Sequence, residues 1–310
     1  MDHPQHVRCR LKLRHLESVI AVANTGSMAK AAAVLAISQP AVSRAIADAE
    51  RTLGVPLFER SSQGVEPTQY GRALVSRGVA AFDEIAQGIK DIASLADPSA
   101  GELWVGSTPG LSEGGILAVI TRLQRNYPRI VFHVVPCGVP QVYQQLRERR
   151  IDVGYADITQ DAPQDDLQTE VLFDDALAVL ASPSSPWARR RKIRLAELVD
   201  EPWTWPEAGT LLDSLMIAAF RASGVRPPRA TVYADAINLR KSLAETGPFL
   251  AVVPASTMRF SNRPASVKVL PVHLPATRRR IGILTLKARA MSPLARRFIE
   301  CVRQVAKSIR

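Results

Sequence analysis

The sequence predicts a multidomain protein of mixed α+β/αβ structure, in which a helical N-terminal part is joined by one long helix to a larger α/β part. Three observations support this fold class. The first 53 residues show short segments of helical periodicity, residues 69–96 keep one helical pattern without interruption, and residues 102–310 alternate strand-like and helical segments. A length of 310 residues is enough for about two domains with sizeable cores.

Composition argues against several classes of protein. Hydrophobic residues make up 46% of the chain and charged residues 22%, which is ordinary for a globular protein and not for a disordered one. Apolar runs stay well below the ~18 residues of a bilayer span, and the first residues lack the basic-then-apolar layout of a secretory signal. Three widely spaced cysteines, Cys9, Cys137 and Cys301, predict neither a disulfide framework nor a zinc site. We therefore expect a cytosolic (cytoplasmic) protein that binds no metal and no membrane.

The net charge of +11 invites an assignment to nucleic-acid binding, but the distribution of charge does not support it. Residues 1–101 carry a net charge of +1, and residues 102–310 carry +10. The nearly neutral part is the one that contains the recognition pattern described next. The net charge is therefore poor evidence for nucleic-acid binding, which has to be argued from the local arrangement of side chains.

Three short helices are predicted at the N-terminus, over residues 13–23, 28–35 and 39–53. Ser27 and Ser38 precede the second and third helices at the N-cap position, where a hydroxyl can accept a hydrogen bond from a free backbone N–H. The second and third helices are joined by a short turn. This arrangement is typical of a helix-turn-helix.

The third helix has two unlike faces. Its apolar face carries Val42, Ala45, Ile46, Ala49 and Leu53. Its opposite face carries Gln39, Ser43, Arg44, Ala47 and Arg51. A helix with such a polar face can enter the ~12 Å major groove of DNA and contact base edges. The alternative is the solvated face of an ordinary three-helix bundle.

The segment that follows predicts a small wing and then a long helix. Residues 57–67 are typical of a strand, a tight polar loop and a second strand, and Thr68 caps a helix over residues 69–96. Two adjacent heptad stripes, which start at Leu74 and Val75, give this helix a wide apolar face. We expect it to pair with the same helix of a second copy, in a homodimer or homotetramer. Packing against the chain's own domains is the alternative.

The remaining residues predict an α/β region with largely parallel sheets. The expected strands are residues 103–107, 130–136, 152–156, 176–181, 231–234, 250–253, 267–270 and 281–286. The expected helices include residues 116–126, 139–149, 211–222, 237–246 and 293–306. Basic runs at 189–192 and 278–280 are expected to be solvated loops, and the acidic pairs at 165–166 and 174–175 to be caps or solvated ends.

Ordered motifs fill residues 16–71. They are Ala23-Asn24-Thr25-Gly26-Ser27, Ala31-Ala32, Ile37-Ser38-Gln39-Pro40-Ala41-Val42-Ser43-Arg44, Leu53-Gly54-Val55-Pro56-Leu57-Phe58-Glu59-Arg60, Thr68 and Gly71. Together they closely resemble the N-terminal signature of LysR-type transcriptional regulators. Residues 70–74, 96–98 and 101–103 also resemble the subgroup of galactose-binding-protein regulators.

The resemblance implies a winged helix-turn-helix that binds double-stranded DNA. The DNA contacts that it implies are Ser38, Gln39, Pro40, Ser43, Arg44 and Arg60. Glutamine can pair with adenine or a phosphate, and arginine with guanine or a phosphate. The wing departs from the family pattern at two places. Ser62-Gln63 stand where the family often has a basic residue in the loop, and Glu66-Pro67 replace a pair that is typically neutral or basic.

The resemblance also implies the domain plan, with a two-lobed effector domain similar to periplasmic binding proteins. The expected domains are residues 1–68 for DNA binding, 69–101 for the linker and dimerisation helix, and 102–310 for the effector, with lobe I about 102–160 and 267–310 and lobe II about 161–266. RNA polymerase is a further partner that this resemblance suggests.

An effector between two such lobes is expected at the carboxyl ends of strands, beside helix N-termini. Ser107 and Thr108 follow the first strand, and their hydroxyls with the free N–H groups nearby suit an anionic or oxygen-rich molecule. The other candidates, which follow strands or precede helices, are Cys137, Asp157, Trp205, Thr210 and Pro254.

The sequence contains no pattern that predicts catalysis or a cofactor. It has no Gly-x-Ser-x-Gly elbow, no phosphate-binding loop and no metal-ligand spacing among its histidines and cysteines. An α/β enzyme with an N-terminal dimerisation module and a plain solute-binding protein are the rival hypotheses. The favoured hypothesis is a DNA-binding regulator that responds to a small molecule.

Overall fold

The computed structural model describes residues 11–61, 64–97, 99–159, 165–260 and 266–308, without the side chains of Arg60 and Ser61. The chain divides into two compact units, one up to Ile89 and one from Lys90 onward. Among the described residues, no helix is both long and apolar enough to cross a membrane.

The first unit contains three helices and a two-stranded wing, followed by the long helix. The elements are α1 Leu13–Thr25, α2 Met28–Leu35, α3 Gln39–Leu53, β1 Phe58–Ser61, β2 Gly64–Pro67 and α4 Gln69–Ala96. The two strands are antiparallel, with Phe58 opposite Pro67. The predicted third helix, wing strands and long helix are confirmed, and Ser27 caps α2 as expected by accepting a hydrogen bond from the Lys30 N–H.

The core of this unit is formed by one face of each short helix. Its buried apolar residues are Val19, Ala21, Val22, Ala31, Ala32, Val42, Ile46, Ala49 and Leu57. Gly26 and Gly54 end α1 and α3 in the left-handed conformation, in which glycine carries no steric penalty.

The second unit contains the α/β region. Its strands are β3 Ala100–Ser107, β4 Arg129–Pro136, β5 Val153–Asp157, β6 Leu167–Asp175, β7 Leu177–Ala181, β8 Trp203–Trp205, β9 Val232–Tyr233, β10 Leu250–Pro254, β11 Lys268–Val269 and β12 Arg279–Leu286. Its longer helices are α5 Leu117–Asn126, α6 Val139–Arg147, α7 Leu211–Ala222, α8 Ile237–Thr246, α9 Ala255–Arg259 and α10 Pro293–Lys307. Short helical turns cover Pro109–Leu111, Ser112–Ile116, Pro186–Arg189 and Leu195–Leu198.

The described strands of this unit form two five-stranded sheets, each with its own core. The first sheet has the order β4-β3-β5-β12-β6 and the second β11-β7-β10-β8-β9. We call the first sheet with its helices lobe I and the second sheet with its helices lobe II. In each sheet only half of the strand pairings are parallel, so the expectation of largely parallel sheets is wrong. The chain crosses between the sheets after β6 and again before β12, and the strands next to these crossings pair antiparallel.

Two strand assignments shift the lobe boundaries that the sequence suggested. β6 was not among the expected strands and lies in the range expected for lobe II, but it pairs with β12 in lobe I. β11 lies in lobe II rather than in lobe I. β6 was missed because its exposed and buried positions alternate irregularly, and its register with β12 shifts at Ile281/Gly282. β8 has three residues, too few for a periodicity to be seen.

Candidate functional site

The polar face of α3 is exposed. Ser38, Gln39, Pro40, Ser43 and Arg44 all lie at the surface of the protein. On the opposite side of the same helix, the apolar residues Val42, Ile46 and Ala49 are buried in the core. The expected separation of the two faces is therefore what the structure shows, and the polar side chains of α3 lie at the surface.

The first turn of α3 is exposed but offers few backbone donors, because Pro40 has no N–H and the Ala41 N–H donates to the Ser38 carbonyl at 3.0 Å. Ser38 takes the N-cap position but its hydroxyl makes no capping hydrogen bond, and Pro40 occupies the first turn. The positive end of the helix dipole at this exposed N-terminus still suits a phosphate group.

The wing is fixed to α3 by Glu50, a residue that sequence reasoning missed. The Glu50 carboxylate accepts hydrogen bonds from the backbone N–H groups of Leu57 at 2.7 Å and Phe58 at 3.3 Å. On the other strand, the Val65 N–H donates to the Gly26 carbonyl at 3.0 Å. The signal in the sequence for this contact is a glutamate eight residues before the first residue of β1, across a turn. The side chain of Arg60, an expected DNA contact on β1, lies outside the described residues.

Hydrogen bonds of Thr68 fix the start of α4 to the segment that leads into the wing. The Thr68 hydroxyl donates to the Pro56 carbonyl at 2.8 Å and accepts from the Gly71 N–H, while the Thr68 N–H donates to the Leu57 carbonyl at 2.9 Å. Gly71 is needed for this approach, because a Cβ at its position would lie 2.1 Å from the Leu57 carbonyl oxygen. The direction of the long helix is thus set by the winged unit.

The second half of α4 presents an apolar surface to solvent. The exposed fractions of Ile85, Ile89, Ile92 and Leu95 are 44%, 64%, 69% and 82%. These residues belong to the heptad stripes identified in the sequence. So large an exposed apolar stripe is typical of an interaction surface.

In the α/β unit, four of the expected effector residues lie at the carboxyl ends of neighbouring strands. Ser107 is fully buried at the end of β3, and its carbonyl accepts from the Cys137 N–H at 2.9 Å. Asp157 is buried at the end of β5, and the interaction of its carboxyl with the Thr108 side chain lowers its pKa against the rise that burial causes. The adjacent β3–β4 and β3–β5 pairings bring these residues to one edge of lobe I.

The three expected residues of lobe II have different surroundings. Pro254 ends β10 and packs toward lobe I, since a Cβ on Gly110 would lie 2.8 Å from its Cγ. Thr210 caps α7 by accepting from the Asp213 N–H at 3.3 Å. Trp205 is buried in the core of lobe II, and its indole N–H donates to Asp213 at 2.8 Å. Because its N–H is satisfied and its ring is packed within lobe II, Trp205 presents no free polar group to an effector.

Charged residues that were expected in solvent are buried here instead. Arg279 has an exposed fraction of 8%, although the basic run 278–280 was expected to be a solvated loop. Its Nη1 lies 2.7 Å from Asp157 and its Nη2 2.7 Å from Asp175, which is buried although the pair 174–175 was expected to be capping or solvated. Burial raises the pKa of Asp157, and the charge of Arg279 opposes that rise. The expectation of solvated charges is wrong for Arg279 and Asp175, because their pairing partners are more than a hundred residues apart in the chain. It is confirmed for Arg278, Arg280 and Asp174, which are exposed.

Comparison with known proteins identifies the class of protein that this fold defines. A family model described as the LysR substrate binding domain matches residues 96–307, and one described as a bacterial regulatory helix-turn-helix protein of the lysR family matches residues 13–72. The chain is a transcriptional regulator with a helix-turn-helix and a substrate-binding domain, and not an enzyme. It belongs to the LysR family.

Individual relatives agree with this family over nearly the whole chain. The chain is 27% identical over 298 residues to the HTH-type transcriptional regulator GbpR of Azospirillum brasilense, covering 96% of this chain and 87% of the relative. It is 26% identical to the transcriptional dual regulator GltC of Bacillus subtilis, covering 95% and 97%.

Solved structures show the same fold. A full-length OxyR variant from Pseudomonas aeruginosa matches with a TM-score of 0.67 and 22% identity, covering 96% of this chain and 94% of that one. CbnR in complex with its target DNA matches with a TM-score of 0.54 and 23% identity, covering 95% and 99%.

Proposed function

We propose that this LysR-type regulator reads DNA with the exposed face of α3, contacting bases or phosphates through Ser38, Gln39, Pro40, Ser43 and Arg44, with Arg60 on the wing. The observation that carries this proposal is the separation of the faces of α3, one buried in the core and one polar and exposed. A recognition helix needs such a free polar face at its N-terminal half to reach base edges in the major groove.

The domain plan proposed with this function follows the strands. Residues 1–68 would form the DNA-binding domain, residues 69–101 the linker, and residues 102–310 the effector domain. Within the effector domain, lobe I contains β3–β6 and β12, and lobe II contains β7–β11.

The active form would be a homodimer or homotetramer. The exposed stripe of Ile85, Ile89, Ile92 and Leu95 supports pairing of α4 with its copy, because an isolated helix does not keep such a surface in water without cost. Two paired winged units match two half-sites on DNA.

The effector would bind at the lobe I edge formed by Ser107, Thr108, Cys137 and Asp157, facing Pro254 and, more distantly, Thr210. The sequence suggested an anionic or oxygen-rich molecule. Asp157 and Asp175 share the single guanidinium of Arg279, so this cluster has one carboxyl group more than cations, and the Asp157 carboxyl can accept hydrogen bonds. Both features favour an oxygen-rich molecule with hydroxyl groups over an anion. Binding there would change the relative orientation of the lobes and, through α4, the contact of the winged units with DNA.

The experiment for DNA reading compares two arginine variants. A duplex is selected from a randomised pool by the wild-type protein, and its affinity is then measured by fluorescence anisotropy for Arg44→Ala and Arg125→Ala. Arg125 is exposed on α5 in the other unit, so its substitution removes the same charge away from α3. We expect Arg44→Ala to lose about 1–3 kcal/mol of binding free energy for the selected duplex. Equal affinities of the two variants would contradict the proposal.

A further inference from the structure

A buried charge cluster lies where the two lobes meet. One guanidinium, that of Arg279 at the start of β12, is shared between the carboxylates of Asp157 at the end of β5 and Asp175 at the end of β6, each at 2.7 Å. All three side chains have exposed fractions of 8% or less. Charges at this depth are stable only while their partners remain in place, so displacing one of them disturbs the others.

Asp175 connects this cluster to lobe II through hydrogen bonds with Ser256. Its carboxylate accepts from the Ser256 N–H at 3.0 Å and from the Ser256 hydroxyl at 2.6 Å. Ser256 is fully buried in α9, which follows β10 of the second sheet. Hydrogen bonds to an ionised acceptor are stronger than neutral ones, so this contact is a firm tie between the lobes.

The two chain crossings between the lobes are tied at the same place. The Ala176 N–H, which opens the first crossing, donates to Asp175 at 3.0 Å. The Leu177 N–H donates to the hydroxyl of Thr277 in the second crossing at 3.4 Å, and that hydroxyl donates to the Leu274 carbonyl. The segments that would bend when the lobes reorient are therefore held by the cluster.

The opposite end of the cluster reaches the proposed effector position. The β3–β5 pairing sets Ser107 opposite Tyr155, so Thr108 and Asp157 follow at the same edge of the sheet. There the Thr108 side chain interacts with the Asp157 carboxyl and lowers its pKa. The Tyr155 hydroxyl is buried next to this network and has no hydrogen-bond partner within the described part of the chain. A ligand that engages Thr108 would compete for the contact with Asp157.

We infer that Thr108, Asp157, Arg279, Asp175 and Ser256 form an interlobe relay. A molecule that binds at Thr108 changes the interaction of Thr108 with Asp157. Arg279 then redistributes its hydrogen bonds between the Asp157 and Asp175 carboxylates. As a result, the hydrogen bonds that Asp175 accepts from Ser256 and from the first crossing become weaker or stronger. Through these contacts, binding of an effector in lobe I changes the orientation of lobe II relative to lobe I. This inference deepens the proposed function, because it rests on the effector position at Thr108.

Hydrogen–deuterium exchange of the full-length protein, without effector or DNA, tests the relay. Ser256→Ala removes the hydroxyl tie, and we expect peptides spanning residues 175–178 and 255–258 to exchange about tenfold faster. Thr108→Val acts from the other lobe, and we expect the same peptides to exchange faster, while Thr108→Ser exchanges as the wild type does. The double variant is expected to be non-additive, since both changes act on one network.

Matched controls separate a relay from general loosening. Thr121→Val on α5 and Ser223→Ala at the C-cap of α7 each remove a hydroxyl that donates to a carbonyl of the adjoining helix at 2.8 Å. Neither is expected to change exchange in these two peptides. The relay is refuted if the effect of Thr108→Val stays within lobe I, or if Ser256→Ala leaves the crossing peptide unchanged. Because no DNA is present, these outcomes are independent of the Arg44 experiment.

Discussion

Removal of Arg279 is expected to destabilise the α/β unit far more than removal of its neighbour. Arg279→Met leaves Asp157 and Asp175 buried without their shared cation, since both carboxylates rely on its two Nη groups at 2.7 Å. Breaking a buried ion pair by removing one partner costs about 3–5 kcal/mol, because an uncompensated buried charge remains. Arg278→Met is the control, because Arg278 pairs with Asp174 at the surface, with 79% of its side chain exposed, and such pairs contribute little.

The assay is urea unfolding followed by tryptophan fluorescence. All four tryptophans, Trp104, Trp187, Trp203 and Trp205, lie in the α/β unit, so the signal reports that unit. The loss caused by Arg279→Met is expected to shrink at acidic pH, because the raised pKa of Asp157 allows its carboxylate to become neutral there. Similar losses for Arg279→Met and Arg278→Met, or a loss that does not change with pH, would refute the reasoning.

Three other predictions follow from single sites. Burial raises the pKa of Glu113 in the folded protein above its value in the unfolded chain, so the free energy of unfolding should fall as pH rises through the interval between the two pKa values. Glu113→Gln should remove this part of the pH dependence when the free energy of unfolding in urea is measured over a series of pH values. Gly71→Ala forces a Cβ to within 2.1 Å of the Leu57 carbonyl and should cost at least about 1–3 kcal/mol, whereas Gly88→Ala on the same helix meets no atom within 4 Å and should gain up to about 1 kcal/mol, both read by circular dichroism. Ile89→Glu places a charge in the exposed stripe of α4 and should shift the protein toward monomer in analytical ultracentrifugation, and an unchanged mass would argue against α4 pairing.

The N-terminal unit was readable from the sequence because its signals are local. A hydroxyl at Ser27, a proline in the first turn of α3 and a glycine at its end act within a few residues, and they mark the helix bounds directly. Helical periodicity then separates buried Val42 from exposed Ser43.

The lobe junction was not readable, because its contacts join distant parts of the chain. The basic run at 278–280 and the acidic pair at 174–175 look like solvated charges until β12 pairs with β6 and places Arg279 opposite Asp175. Trp205 looked like a cleft residue because it stands before a helix, but Trp203 and Phe220 enclose its ring at centroid distances of 5.9 and 5.8 Å. Such assignments need the sheet topology, which depends on the irregular strand β6.

Site-directed DNA cleavage gives the most direct test of how this regulator meets its target. An iron chelate attached to Ser43→Cys, on the exposed face of α3, is bound to the selected duplex and activated, with the labelled wild-type protein as background. Two groups of strand breaks are expected, separated by whole helical turns of about 10.5 base pairs, because each of two paired chains places one α3 in a groove. Random cleavage along the duplex, or a single group of breaks, would contradict the account.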